Sequence, residues 1–136
     1  MRHRVAGKKL NRHAKDRKHL YRNLMIAILE HRKITTTHAK AQAIRPQIEK
    51  LITMARRVPT PQQIEAAPEA EREALVARRA EVFRRGMIEL GTNKKAVHRL
   101  LEIAPEYADR PGGYVRITRV GQRKGDAAEM SVIELV

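Results

Sequence analysis

Sixteen Lys and Arg against three Asp and Glu stand in the first 57 residues, a local net charge of +13. Residues 58–110 balance nine against nine, and residues 111–136 carry four against three. Almost all of the chain's +14 is therefore confined to one segment, which also holds His3, His13, His19, His31 and His38. Packing so many like charges into a compact body costs stability unless a polyanion supplies counter-charge. Nucleic acid is the leading partner on this ground, and an anionic membrane surface the weaker one. A merely solvated basic face is the bland alternative, and it suits a few surplus charges better than thirteen.

A length of 136 residues fits one domain. With no Trp, one Phe and three Tyr, its core must be mostly aliphatic, and the aromatic walls of a cofactor or sugar pocket are missing. Cysteine is absent, which removes disulfides, thiolate nucleophiles and Cys-containing zinc sites. The longest apolar run, Leu24 to Leu29, falls far short of the roughly 20 residues that cross a bilayer. The basic N-terminus resembles the start of a signal peptide, but the apolar stretch after it is too short and follows Tyr21-Arg22-Asn23. The reading is a mature cytosolic chain.

Met1 to Lys9 sets Arg2, Arg4, Lys8 and Lys9 around Gly7 with only Val5 and Ala6 between, an extended basic arm with nothing to bury. Asn11 is a candidate N-cap for a first helix whose Ala14, Tyr21, Leu24, Met25 and Ile28 recur at helical spacing to about His31. Its other side lines up Arg12, Lys15, Lys18 or His19, and Arg22. A helix start carries partial positive charge and prefers acids, so Arg12 and Lys15 there suggest that phosphates occupy it; a mildly destabilised helix is the alternative.

Lys33 to Thr37 is a short β-branched strand, after which Thr37 can cap a second helix running to about Arg56 and kinked at Pro46. Val58-Pro59-Thr60-Pro61 breaks the chain, and the acidic, Ala-rich stretch that follows makes residues 58–80 a peripheral loop or insertion. Pro68 opens a third helix that Gly86 interrupts or ends, and Thr92 caps a fourth, which stops before Pro105. Pro111-Gly112-Gly113 is a turn, Tyr114–Val120 and Met130–Val136 are strands, and Gly121 to Asp126 joins them in an antiparallel hairpin. The architecture is one α+β domain.

Walker, GxGxxG, HExxH and GxSxG motifs are all lacking, so nothing points to an enzyme, a cofactor or a small-molecule substrate. Gly121 to Asp126 lacks the spacing of a phosphate loop; it is either a hairpin tip that touches backbone phosphates or a plain turn. Neither His13 with His19 nor His31 with His38 has the i,i+4 spacing of a helical metal site, and cations surround both pairs, so no metal is expected. Histidines here stack on bases or hydrogen-bond phosphate and ribose, unless simply exposed. Tyr21 reads as core and Tyr114 is open. So few aromatics argue against a module that reads single strands with stacked rings, and favour binding by shape and phosphate.

Met1-Arg2-His3-Arg4, Gly7-Lys8-Lys9-Leu10, Asn11-Arg12, Arg17 and Arg22-Asn23-Leu24, followed by Ile34-Thr35-Thr36-Thr37, Lys40-Ala41 and Glu49-Lys50-Leu51-Ile52-Thr53, form a collinear set. At the far end stand Arg110-Pro111-Gly112-Gly113-Tyr114-Val115-Arg116-Ile117, Arg123-Lys124-Gly125-Asp126 and Ile133-Glu134-Leu135-Val136. Together they resemble the bacterial large-subunit ribosomal protein family number seventeen over roughly residues 1–57 and 92–136; the stretch from Val58 to about Ala80 departs as longer, more acidic and richer in Pro.

The resemblance implies a two-layer fold of helix, strand, three helices and two strands, with a small mixed sheet packed by helices and a basic extended arm. It implies a ribosome-bound, cytoplasmic structural protein that holds large-subunit rRNA near the peptide tunnel exit, beside neighbouring ribosomal proteins. The candidate RNA-binding residues are Arg2, His3, Arg4, Lys8 and Lys9 of the arm, then Arg12, His13, Lys15, Arg17, Lys18, Arg22 and Lys40, and Arg116, Arg119, Arg123 and Lys124 of the hairpin. A nucleoid-type DNA-binding protein is the alternative, but such proteins use an apolar wedge on a β-arm, and the Gly121–Asp126 tip is polar or Gly throughout.

Overall fold

A computed structural model describes Met1, His3 and residues 6–136. Its elements run α1 (Ala14–His31), β1 (Lys33–Thr37), α2 (His38–Ala55), α3 (Pro61–Ala66), α4 (Glu69–Glu89) and α5 (Lys94–Ile103), then a 3-10 turn over Ala104–Tyr107, β2 (Val115–Gln122) and β3 (Glu129–Leu135). The fold is α+β, as the sequence pattern implies. The chain is organised as two compact units, Met1–Gln47 with Val115–Val136, and Ile48–Tyr114.

In the first unit the strand order is β1-β3-β2, and both pairings are antiparallel. The mixed sheet expected from the sequence is therefore corrected. β2 and β3 form a hairpin, and β1 then pairs with the far side of β3 in the register Lys33↔Glu134 to Thr37↔Met130. Alternation on β3 buries Ser131 and Ile133 completely. α1 lies against β1 and β3 and buries Met25, Ile28 and Leu29. It stops at Arg32, whose left-handed backbone (φ 59°) returns its N–H to the Ile28 carbonyl at 2.8 Å. The Arg32 carbonyl then accepts from the Leu135 amide at 2.9 Å, so a single residue ends the helix and meets the end of β3.

The start of α1 also differs from expectation. Leu10 and Asn11 take left-handed backbone (φ 53° and 50°) in the preceding turn, so His13 stands at the N-cap position without a side-chain bond. Asn tolerates that conformation better than most residues, which is why it serves the turn here. The first helical turn then holds Asp16 as well as Lys15, and Arg12 precedes the helix. The conflict between cations and helix dipole is weaker than the sequence suggested. α2 runs unbroken through Pro46.

In the second unit, the stretch read as a loop or insertion contains α3 and the first turns of α4. Thr60 and Gln63 form a reciprocal capping box: Thr60 Oγ1 accepts from the Gln63 amide at 3.2 Å, and Gln63 Oε1 from the Thr60 amide at 2.9 Å. Pro61 sits at the first helical position, where its missing N–H costs nothing. Gly86 neither ends nor interrupts α4. It is buried, and a Cβ there would come within 3.0 Å of Val97 Cγ1, so glycine permits the close approach of α4 to α5. α5 is capped by Asn93, which accepts from the Ala96 amide at 3.0 Å; Thr92 takes φ 65° in the turn instead. Tyr114 is fully buried, packs edge-on against Tyr107 with centroids 5.2 Å apart, and donates to the Arg110 carbonyl at 3.1 Å.

Candidate nucleic-acid interface

Every candidate cation of the sequence reading falls in the first unit. Arg12 and His13 just before α1, and Lys15 and Lys18 on it, are exposed, while Arg17 and Arg22 on α1 are half-buried. Arg17 donates to the Arg12 carbonyl at 3.1 Å, so part of its donor set is spent inside the turn. Lys15, Lys18 and Arg22 follow at intervals of three and four residues and share one side of the helix.

Of the arm, Arg2 and Arg4 lie outside the described residues, and His3 and Lys9 are exposed. Lys8 is anchored. Its carbonyl accepts from the Tyr21 hydroxyl at 2.9 Å, and its ammonium donates to Gln42 Oε1 on α2. Tyr21, read as core from its position, is half-buried and serves this anchor with its polar tip. Lys40 is half-buried in the first turn of α2.

The hairpin cations face carboxylates. Arg116 lies 3.7 Å from Glu134, which also meets Lys33 at 3.9 Å on the neighbouring strand, and Arg119 lies 3.8 Å from Glu129. At the tip, Arg123 grips Asp126 with two bonds, 3.1 Å and 2.6 Å long. The guanidinium, helped by the Ala128 amide, lowers the Asp126 carboxyl to about 2, and the same pairing raises Arg123. Lys124 is exposed beside Gly125, whose φ of 104° makes the turn. The arginines at 116 and 119 are well over half exposed, and exposed pairs of this kind contribute at most about 1 kcal/mol. A phosphate can replace such carboxylates at little cost.

One member of the site was missed. His38 Nδ1 lies 2.8 Å from Oγ of fully buried Ser131, and Nε2 lies 3.4 Å from Arg119 Nη2. A guanidinium only donates, so Nε2 must accept and Nδ1 carries the proton given to Ser131. The imidazole thus links α2 to both hairpin strands, to β3 through Ser131 and to β2 through Arg119. Nothing local in the sequence signals this, because Ser131 lies 93 residues away.

Among the described residues no group of three His, Cys, Asp or Glu is arranged for a metal, and no helix is long and apolar enough to cross a membrane. An exposed cationic helix, Lys8 bonded to Tyr21 and Gln42 ahead of it, and a cation-bearing hairpin on one antiparallel sheet make a small basic α+β protein. The sequence profile described as Ribosomal protein L17 matches residues 20–136. The large ribosomal subunit protein bL17 of Chloroflexus aurantiacus is 47% identical over 137 aligned positions that cover all of both chains. Its counterpart in Petrotoga mobilis is 42% identical over all of this chain and 97% of its own, and that of Thermomicrobium roseum 40% over all of this chain and 99% of its own. The chain belongs to the ribosomal protein L17 family, structural and non-enzymatic proteins of the large ribosomal subunit, and so works on the ribosome in the cytoplasm.

Proposed function

We propose that the chain binds large-subunit rRNA chiefly through backbone phosphates, using the α1 cations and the basic arm first and the hairpin second. The observation that carries this reading is the concentration of surplus charge in a unit whose cations at 12, 15 and 18, just before and along the start of α1, are exposed to solvent. Phosphate contacts hold position without reading sequence, which suits a structural role and a surface poor in aromatic rings. The hairpin is the weaker contact, because Arg116, Arg119 and Arg123 must first exchange a carboxylate for a phosphate. The chain acts as one domain beside neighbouring ribosomal proteins, and its position near the peptide tunnel exit rests on the family resemblance alone.

Incorporation tests the reading. Protein labelled and mixed with disassembled large-subunit components should sediment with the reassembled subunit through a high-salt gradient. A variant lacking charge at Arg123 and Lys124 should lose in direct competition with the parent. Equal incorporation of the two, with folding intact, contradicts the hairpin contact.

A further inference from the structure

The three strands of the first unit present two unlike faces. The register sets Lys33, Glu134 and Arg116 in one row across the sheet and Thr35, Val132 and Thr118 in the next, and alternation turns both rows to the same face. The opposite face carries Ile133 and Ser131, both fully buried. On the first face the flanking strands stand open. The side chains of Lys33 and Arg116 are each 64% exposed, Thr35 and Thr118 are exposed as well, and Glu134 and Val132 between them are half-buried. Charge on this face is unbalanced. Lys33 at 3.9 Å and Arg116 at 3.7 Å share the single Glu134 carboxylate, so the row keeps a net positive charge in the unit that already holds the chain's surplus.

A shallow platform of hydroxyls edged by cations selects among partners. A protein partner asks for an apolar centre with aromatic anchors, whereas the aliphatic side chains in the middle of this face, Val132 and Met130, are already half-buried within the sheet. Unstacked bases ask for rings to stack on, and none of the three strands has an aromatic residue. The minor groove of an A-form RNA duplex fits better, being wide and shallow and displaying 2′-hydroxyls between its phosphates. Thr35 and Thr118 lie two strand spacings apart, roughly 10 Å, and each hydroxyl can donate to or accept from a ribose 2′-OH. We propose that the open face of the sheet docks on the minor groove of an RNA duplex, with Thr35 and Thr118 on 2′-hydroxyls and Lys33 and Arg116 on the flanking phosphates. The inference rests on the rRNA-binding reading and adds to it the form of RNA that this face takes, together with two residues that tell ribose from deoxyribose.

The test uses the full chain and measures, by fluorescence anisotropy, its binding to an RNA hairpin duplex and to the same duplex with 2′-fluoro riboses, which keep the A-form but remove the hydroxyls with little change in size. The parent should bind the RNA about tenfold more tightly than its 2′-fluoro form, the scale of two hydrogen bonds at roughly threefold each. Thr35→Val with Thr118→Val keeps side-chain shape and strand propensity at exposed positions, so the fold should persist while the preference disappears. Thr35→Ser with Thr118→Ser retains the hydroxyls and should retain the preference. Lys33→Gln should weaken both duplexes alike. Equal binding of the two duplexes by the parent, a valine variant that keeps the preference, or tighter binding of a single strand than of the duplex overturns the proposal. Filter binding of large-subunit rRNA by the same proteins separates the two claims. If the parent binds rRNA yet ignores the 2′-hydroxyl, only the sheet-face contact falls, whereas a parent that does not bind rRNA removes the reading beneath it.

Discussion

The two units of this chain spend their charge differently. The unit made of Met1–Gln47 and Val115–Val136 holds 17 Lys and Arg against five Asp and Glu, while Ile48–Tyr114 holds 12 against ten. The second unit meets its demands internally: a helix pair brought close at Gly86, the fully buried Leu90, Val97, Leu100 and Ile103, a capping box at Thr60, and charges nearly balanced. The first leaves a surplus of twelve, whose mutual repulsion is relieved by counter-charge from salt or from a bound polyanion. Packing thus sets the stability of one unit, and ionic surroundings weigh on that of the other.

The largest expected effect breaks the comparison from the packing side. Leu100→Ala, at a fully buried position in the second unit, should cost about 2–5 kcal/mol in chemical denaturation. The loss should be the same at low and high salt. A loss that shrinks strongly with salt would mean that charge, and not packing, governs this unit as well.

A smaller effect comes from the first unit. Lys15→Gln with Lys18→Gln removes two exposed like charges and should raise stability at low ionic strength by a few tenths of a kcal/mol, a gain that vanishes in high salt. Thermal melts at two salt concentrations measure it. Destabilisation at low salt would show these lysines to be structural.

The smallest is confined to the hairpin tip. Asp126 has its carboxyl lowered from 3.8 to about 2 by Arg123, so the ionised form is favoured in the fold. Its contribution is complete above the ordinary carboxylate value and is lost as pH falls through about 2. NMR titration should therefore show Asp126 protonating, and the Ala128 amide losing its side-chain acceptor, well below the range of free carboxylates. Titration near 4 would remove the bidentate pairing from the account.

What could be read beforehand follows from how local each cause is. β1 was legible to the residue because a β-branched run from Lys33 to Thr37 announces itself, and the antiparallel hairpin because Gly-rich turns bracket alternating strands. The capping box at Thr60, Pro61 and Gln63 was equally local, but the acidic composition after it drew the reading towards a loop. Asn11 and Thr92 were misplaced as caps because residues suited to caps are also suited to left-handed turns, and only the three-dimensional course of the chain chooses between them. Gly86 against Val97 and His38 against Ser131 and Arg119 were beyond reach, since each meaning lies in a partner from another element. The antiparallel direction of β1 likewise depends on its register with a strand almost 100 residues later.

The most direct test of the central claim, that one unit holds the RNA by charge and the other does not, is the salt dependence of large-subunit rRNA binding. Two double variants should be compared with the parent: Lys15→Gln with Lys18→Gln in the first unit, and Arg84→Gln with Lys94→Gln, both exposed, in the second. The first pair should lower the slope of log K against log salt by roughly 0.7–0.9 for each phosphate no longer neutralised, to the same extent on an unrelated RNA. The second pair should leave the slope at the parent value. Equal slopes for the first pair and the parent, or a larger fall for the second pair, would contradict the account.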